Sequence, residues 1–116
     1  DKAPKIFNVN WFRLDEQGRF IWPGFGDNLR VLEWILSRCE GKADAVDTPI
    51  GYVPKPEDIN LTDLDMSIDT LKSILDVDKE EWRREADGIE EFYKKFGEKL
   101  PPEIKAELNK LKDRLA

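Results

Sequence analysis

The chemistry this sequence could support is concentrated in one stretch, Asn10 to Asn28, which reads NWFRLDEQGRFIWPGFGDN. Trp11, Phe12, Phe20, Trp22 and Phe25 place flat rings there, and Gly18, Pro23, Gly24 and Gly26 break the chain between them. A helix or strand that only fills a core has no need of that punctuation. Phe25 stands between two glycines, so its ring is carried on a backbone free to approach a ligand closely. With Asp27 and Asn28 following, the stretch describes a flat aromatic slot beside the N-terminus of a helix. The same rings also describe a small core in which a two-stranded ribbon packs on that helix, and composition alone favours this plainer reading. A sugar-binding face or a peptide groove would use them too, because aromatic density by itself names no ligand.

Other chemistries are poorly supplied. The 116 residues contain no histidine, which removes a His general base, a His metal ligand and any Ser–His or Cys–His nucleophile. Neither a GxxxxGK[ST] nor a GxGxxG phosphate loop occurs. The carboxylates of Asp76–Glu91 alternate with Lys and Arg in a helical pattern, as a solvated face does. The single cysteine, Cys39, cannot form an intrachain disulfide, and its place on an apolar helix face predicts a buried, inert thiol. No catalytic residue and no metal ligand is expected. A net charge of -6 argues against a surface that neutralises nucleic-acid phosphates. No apolar run approaches the roughly 18 residues of a membrane span. Neither nucleic acid nor membrane is therefore an expected partner, and a cytoplasmic location is the default. The chain opens without an initiator Met on DKAPKIF, which reads as a piece excised from something longer.

The elements that must carry the slot follow from local pattern. Phe7–Phe12 and Arg19–Trp22 are strand-like, and Asp15–Gly18 is the turn between them. Pro23–Gly26 is a loop that leads into a helix over Asp27–Glu40, capped by Asp27, with Leu29, Leu32, Ile35, Leu36 and Cys39 along one face. Val31 and Trp34 extend the apolar surface to a second side, which predicts burial against more than one neighbour. Gly41 ends that helix. Residues 42–66 form a connector whose prolines exclude a central strand, with one extended run at Ile50–Val53.

The tail, 67–116, is helical. Ser67 or Asp69 caps a short helix with Ile68, Leu71, Ile74 and Leu75. Asp78 and Glu81 then open a longer one with Trp82, Ala86, Ile89, Tyr93 and Phe96 on one face. Gly97 stops it, and Pro101–Pro102 begins a final helix striped by Ile104, Leu108, Leu111 and Leu115. The fold class is α+β, mainly helical, with short β-strands near the N-terminal end.

Three strings carry a resemblance that goes beyond pattern. FNVNWFR, GRFIWPGFGDNLRVLEWI and TPIGYVP closely resemble the C-terminal portion of GTP-dependent phosphoenolpyruvate carboxykinases. INLTDLD, the segment around Trp82 and the end from Leu100–Pro101 to Leu115 fit the same tail. The likeness covers nearly the whole chain, WPGFGDN being its most specific part. It implies that residues 1–116 are the C-terminal part of a nucleotide-binding domain. It also implies a guanine site in which Phe12, Phe20 and Phe25 hold the base, Trp11 lies beside them, and Gly26, Asp27 and Asn28 close the pocket.

Stacking supplies about 1–3 kcal/mol per base without telling bases apart. Discrimination then falls to the Asn28 amide and backbone groups around Phe25–Asn28. The family's enzymes convert oxaloacetate and GTP to phosphoenolpyruvate, GDP and CO2 in gluconeogenesis, with Mn²⁺ at the active centre and Mg²⁺ on the nucleotide. The resemblance places the phosphate loop, the metal ligands and the lid upstream of this chain. The chain alone is then expected to be inactive, with GTP or GDP and the remainder of the enzyme as its partners. Two rival readings stand beside this one: a non-enzymatic aromatic binding module, and a helical protein-interaction domain.

Overall fold

Four amphipathic helices and one short hairpin supply the regular structure of the computed structural model, which describes residues 3–116. Asp1 and Lys2, at the head of the polar lead, lie outside the described residues. The architecture is α+β and mainly helical. In chain order come α1 (Asn28–Cys39), β1 (Val46–Thr48), β2 (Gly51–Val53), α2 (Ile68–Leu75), α3 (Lys79–Lys94) and α4 (Pro102–Leu115). The contacts divide the chain into two compact units. One holds the residues up to Val46 together with Val53–Asp76, and the other holds Asp47–Tyr52 with Val77–Ala116.

The first unit is built around Trp22, Trp34, Ile59 and Leu71, all buried. Phe7 meets Trp34 edge-on, with ring centroids 6.2 Å apart. Helix α1 faces this core with Val31, Trp34 and Ile35. The stripe expected to be its core face behaves otherwise: Leu29, Leu32, Leu36 and Cys39 are exposed, and Ile35 alone of that set packs inward. The helix has two apolar sides, and one layer of neighbours covers only one. Trp34 and Val31 win the covered side because an indole removes far more apolar surface from water than a leucine. The expectation that Cys39 is buried is corrected for the same reason, since its thiol sits with the uncovered side.

Phe7–Phe12 and Arg19–Trp22 do not form a ladder. Arg19–Trp22 pairs instead with residues just past the first run, through one antiparallel bridge of Leu14 to Phe20 and Ile21 N–H donating to Arg13 O at 3.0 Å. The Asp15–Gly18 turn is formed, with Gly18 at φ 76° and its N–H donating to Asp15 O. A two-stranded ribbon with no third strand is marginal in water, and Pro23 stops the second run directly after Trp22. Paired strands occur instead at β1 and β2, where the extended run Ile50–Val53 contributes Gly51–Val53. Ser67 caps α2, its hydroxyl accepting from Thr70 N–H at 3.0 Å.

In the second unit, α3 and α4 pack through Ala86, Leu108 and Leu115, the last with no exposed surface, flanked by Trp82, Ile89, Tyr93 and Leu111. Asp78 caps α3, one carboxylate oxygen accepting from Glu80 N–H at 2.8 Å and Glu81 N–H at 3.1 Å. Phe96 falls beyond the end of α3 and Ile104 begins α4, and both remain exposed. Phe96 packs on the Phe92 ring instead of the helix pair. Arg83 Nε donates to Leu115 O at 2.8 Å and ties α3 to the end of α4. Lys112 Nζ reaches Asp87 and Glu90, each at 2.9 Å. The Lys112 hydrogen bond holds the Glu90 carboxyl below its ordinary range.

Two outcomes follow for this helix pair. Leu108→Ala or Leu115→Ala should cost about 2–5 kcal/mol in chemical denaturation, whereas Lys105→Ala should cost under about 0.5 kcal/mol. Equal losses would mean that α4 packs through another face. Folded Glu90 binds its proton less readily than unfolded Glu90. Its contribution is therefore complete above the ordinary glutamate pKa and is lost as pH falls through the lowered folded value. Lys112→Ala should accordingly flatten the acid limb of a plot of melting temperature against pH. An acid limb that keeps its slope would show the contact to be inert.

Candidate functional site

The aromatic stretch becomes a ring cluster with a wet side and a dry side. On the dry side Trp22 is 6% exposed, and its ring lies 6.5 Å from that of half-buried Trp11. On the wet side Phe12 and Phe20 meet edge to face, with centroids 5.8 Å apart, and stay 70% and 62% exposed. Phe12 is set by an Asx turn in which its N–H donates to Asn10 Oδ1 at 2.9 Å. Phe20 is set by the bridge to Leu14. A depression beside Phe20 is lined by Asp15, Arg19, Ile21, Thr70 and Ser73. Hydrogen bonds from the Arg19 backbone and guanidinium hold the Asp15 carboxyl below its ordinary range.

Phe25 stands apart. It is 96% exposed and makes no ring contact with Phe12 or Phe20 among the described residues. Its loop is closed by Gly24, at φ 104°, whose carbonyl accepts from both Asp27 N–H at 3.0 Å and Asn28 N–H at 3.2 Å. Those two backbone donors are consumed inside the loop. Asp27 sits at the cap position of α1 without capping it. Its carboxylate accepts from Arg30 Nε at 2.9 Å, and Arg30 in turn donates to Asn60 O at 2.8 Å. The guanidinium, a stronger charged donor than an amide, takes the carboxylate away from the helix end.

Asn28 is the first residue of α1 and is half-buried. Its Oδ1 accepts from the Trp22 indole N–H at 2.8 Å. Residue pattern shows Trp22 only as one more ring; the signal for this link is that an indole N–H can only donate, so burial favours a partner that accepts. Of the expected site residues, the structure pairs Phe12 with Phe20, places Trp11 on Trp22, and joins Asn28 to the cluster through Trp22. Gly26 and Phe25 form the loop crest, and Asp27 is engaged with Arg30. Among the described residues, no group of three or more His, Cys, Asp or Glu could hold a metal ion. No helix among them is long and apolar enough to cross a membrane.

Comparison with known proteins gives a consistent picture. The family described as phosphoenolpyruvate carboxykinase C-terminal P-loop domain matches residues 1–114. Phosphoenolpyruvate carboxykinase [GTP] of Renibacterium salmoninarum is 55% identical over 115 residues, covering 99% of this chain. The protein of the same name from Arthrobacter sp. (strain FB24) is 52% identical over 116 residues, and that from Chlamydia muridarum is 50% identical over 115, covering 100% and 98% of the chain. The chain spans 19% of the length of each of these relatives.

The loop geometry separates its two glycines. Gly24→Ala places a side chain in the left-handed region and should destabilise by about 1–2 kcal/mol. At Gly26 an added Cβ meets nothing within 4 Å and the backbone is not left-handed, so Gly26→Ala should cost under about 0.5 kcal/mol. Thermal melts of the two variants check this, and equal costs would refute the assigned loop conformation.

Proposed function

The chain belongs to the family of GTP-dependent phosphoenolpyruvate carboxykinases, and from that membership we propose that it forms the guanine-recognising wall of such an enzyme's nucleotide site. Residues 1–116 would be the C-terminal part of the nucleotide-binding domain. The reaction of the whole enzyme is the conversion of oxaloacetate and GTP to phosphoenolpyruvate, GDP and CO2, a decarboxylation serving gluconeogenesis in the cytoplasm. The observation that carries the reading is the exposure of Phe12, Phe20 and Phe25. Rings of that size left in water mark a surface with something still to bind.

In this reading the phenylalanines clasp the faces of the base, with Trp11 and Trp22 as the dry backing. Gly26 lets the loop crest approach the base, and Asp27 braces it through Arg30. Asn28 meets the edge of the base. The chain's own residues bind and orient the base and do nothing to the phosphates. Mn²⁺ and Mg²⁺, which supply charge neutralisation at the reacting groups, take their ligands from outside these residues, and the chain alone is inactive. The uncovered side of α1, with Leu29, Leu32 and Leu36, packs against the remainder of the enzyme.

Phe25→Ala in the full-length enzyme tests the reading. Losing about 1–3 kcal/mol of stacking should raise the KM for GTP roughly 5- to 150-fold while that for oxaloacetate stays within about twofold. Because Phe25 is solvated in this chain, its removal should leave the fold intact by circular dichroism. An unchanged KM for GTP in a folded variant would place the base elsewhere and make the cluster a seat for another part of the enzyme.

A further inference from the structure

We propose that Trp22 sets the base preference of this site as a positioning residue, by fixing which end of the Asn28 carboxamide is open to the base. The proposal rests on the guanine-slot reading above. Trp22 is buried, and its indole N–H can donate but never accept. That donor is spent on Asn28 Oδ1 at 2.8 Å. A carboxamide has one accepting end and one donating end. With its oxygen turned to the indole, the Nδ2 amine is the end left for whatever meets Asn28 from the other side. Turning the amide over would set its NH2 against the indole N–H, two donors facing each other with neither satisfied.

The neighbouring groups narrow the choice further. The backbone N–H groups of Asp27 and Asn28 are both consumed by Gly24 O, and the Asp27 carboxylate is held by Arg30. Among the described residues, the Asn28 amine is left beside them with its direction fixed by the indole. A donor at that edge matches an acceptor on the base. Guanine presents the carbonyl O6 at the ring position where adenine presents an amine. Guanine is paired there, while adenine sets donor against donor. Stacking on Phe12, Phe20 and Phe25 treats the two purines alike, so the polarity of the Trp22–Asn28 hydrogen bond tells them apart.

The test measures Kd for GDP and for ADP by titration calorimetry on the full-length enzyme, with Trp22→Phe and Asn28→Ala as variants. Trp22→Phe keeps a ring in the cluster, though a smaller one, and deletes the donor, which frees the amide to turn. The GDP-over-ADP preference should fall about 3- to 10-fold, through weaker GDP and stronger ADP binding. If that variant does not fold by circular dichroism, the same titrations are run with 3-benzothienylalanine at position 22, which keeps the bicyclic shape and lacks the N–H. A purely structural role would weaken both nucleotides alike. An unchanged ratio in the folded variant, where Asn28→Ala does lower the ratio, overturns the role of Trp22 and leaves the slot reading standing. A ratio that Asn28→Ala itself leaves unchanged overturns the edge-reading role of Asn28, and this proposal with it.

Discussion

The buried indole N–H of Trp22 finds its acceptor in the Asn28 side chain, and that contact joins the aromatic stretch to the helix that follows it. Trp22 belongs to the core of the first unit, together with Trp34, Ile59 and Leu71. Leaving its donor unsatisfied there would cost about 1–3 kcal/mol. The Asn28 carbonyl meets the need, and the chain between the two residues must then turn back within a short loop. Gly24 makes that turn possible by adopting a conformation that a side chain resists. Phe25 is thrown outward as a result, and α1 begins at the residue whose side chain closes the contact.

Helix α1 shows the other constraint on this fold. Its sequence offers two apolar sides, and the first unit covers the one that holds Trp34. Leucines on the other side remain in water. An exposed apolar strip along a helix marks a surface with something still to cover it. The relatives are about five times longer than this chain.

The N-terminal caps of α2 and α3 and the seam of α3 with α4 are legible in the sequence because each has a local cause. Ser67 and Asp78 cap with their own oxygens, and Ala86, Leu108 and Leu115 recur at helical spacing with one partner to face. The buried side of α1 is not legible, since periodicity cannot choose between two apolar stripes when the choice depends on how many neighbours exist. Neither is the failure of Phe7–Phe12 and Arg19–Trp22 to form a ladder, because strand pairing is decided by what lies beyond the pair. At the site, residue types and motif wording point to Phe12, Phe20, Phe25 and Asn28. The Trp22 hydrogen bond, the diversion of Asp27 to Arg30 and the use of two backbone donors by Gly24 emerge only in three dimensions.

The loop that Gly24 closes also divides the site by how much order is in place before anything binds. Asn28, Asp27 and the backbone between them are held by internal hydrogen bonds, so their conformational entropy is surrendered on folding and not on recognition. Phe25 has no such restraint and carries the remaining ordering cost, that of a single ring with two rotatable bonds. In the proposed slot the rigid half would then govern which ligand is accepted, and the solvated ring would bear on how long it stays, so selectivity and residence time would be set by different residues.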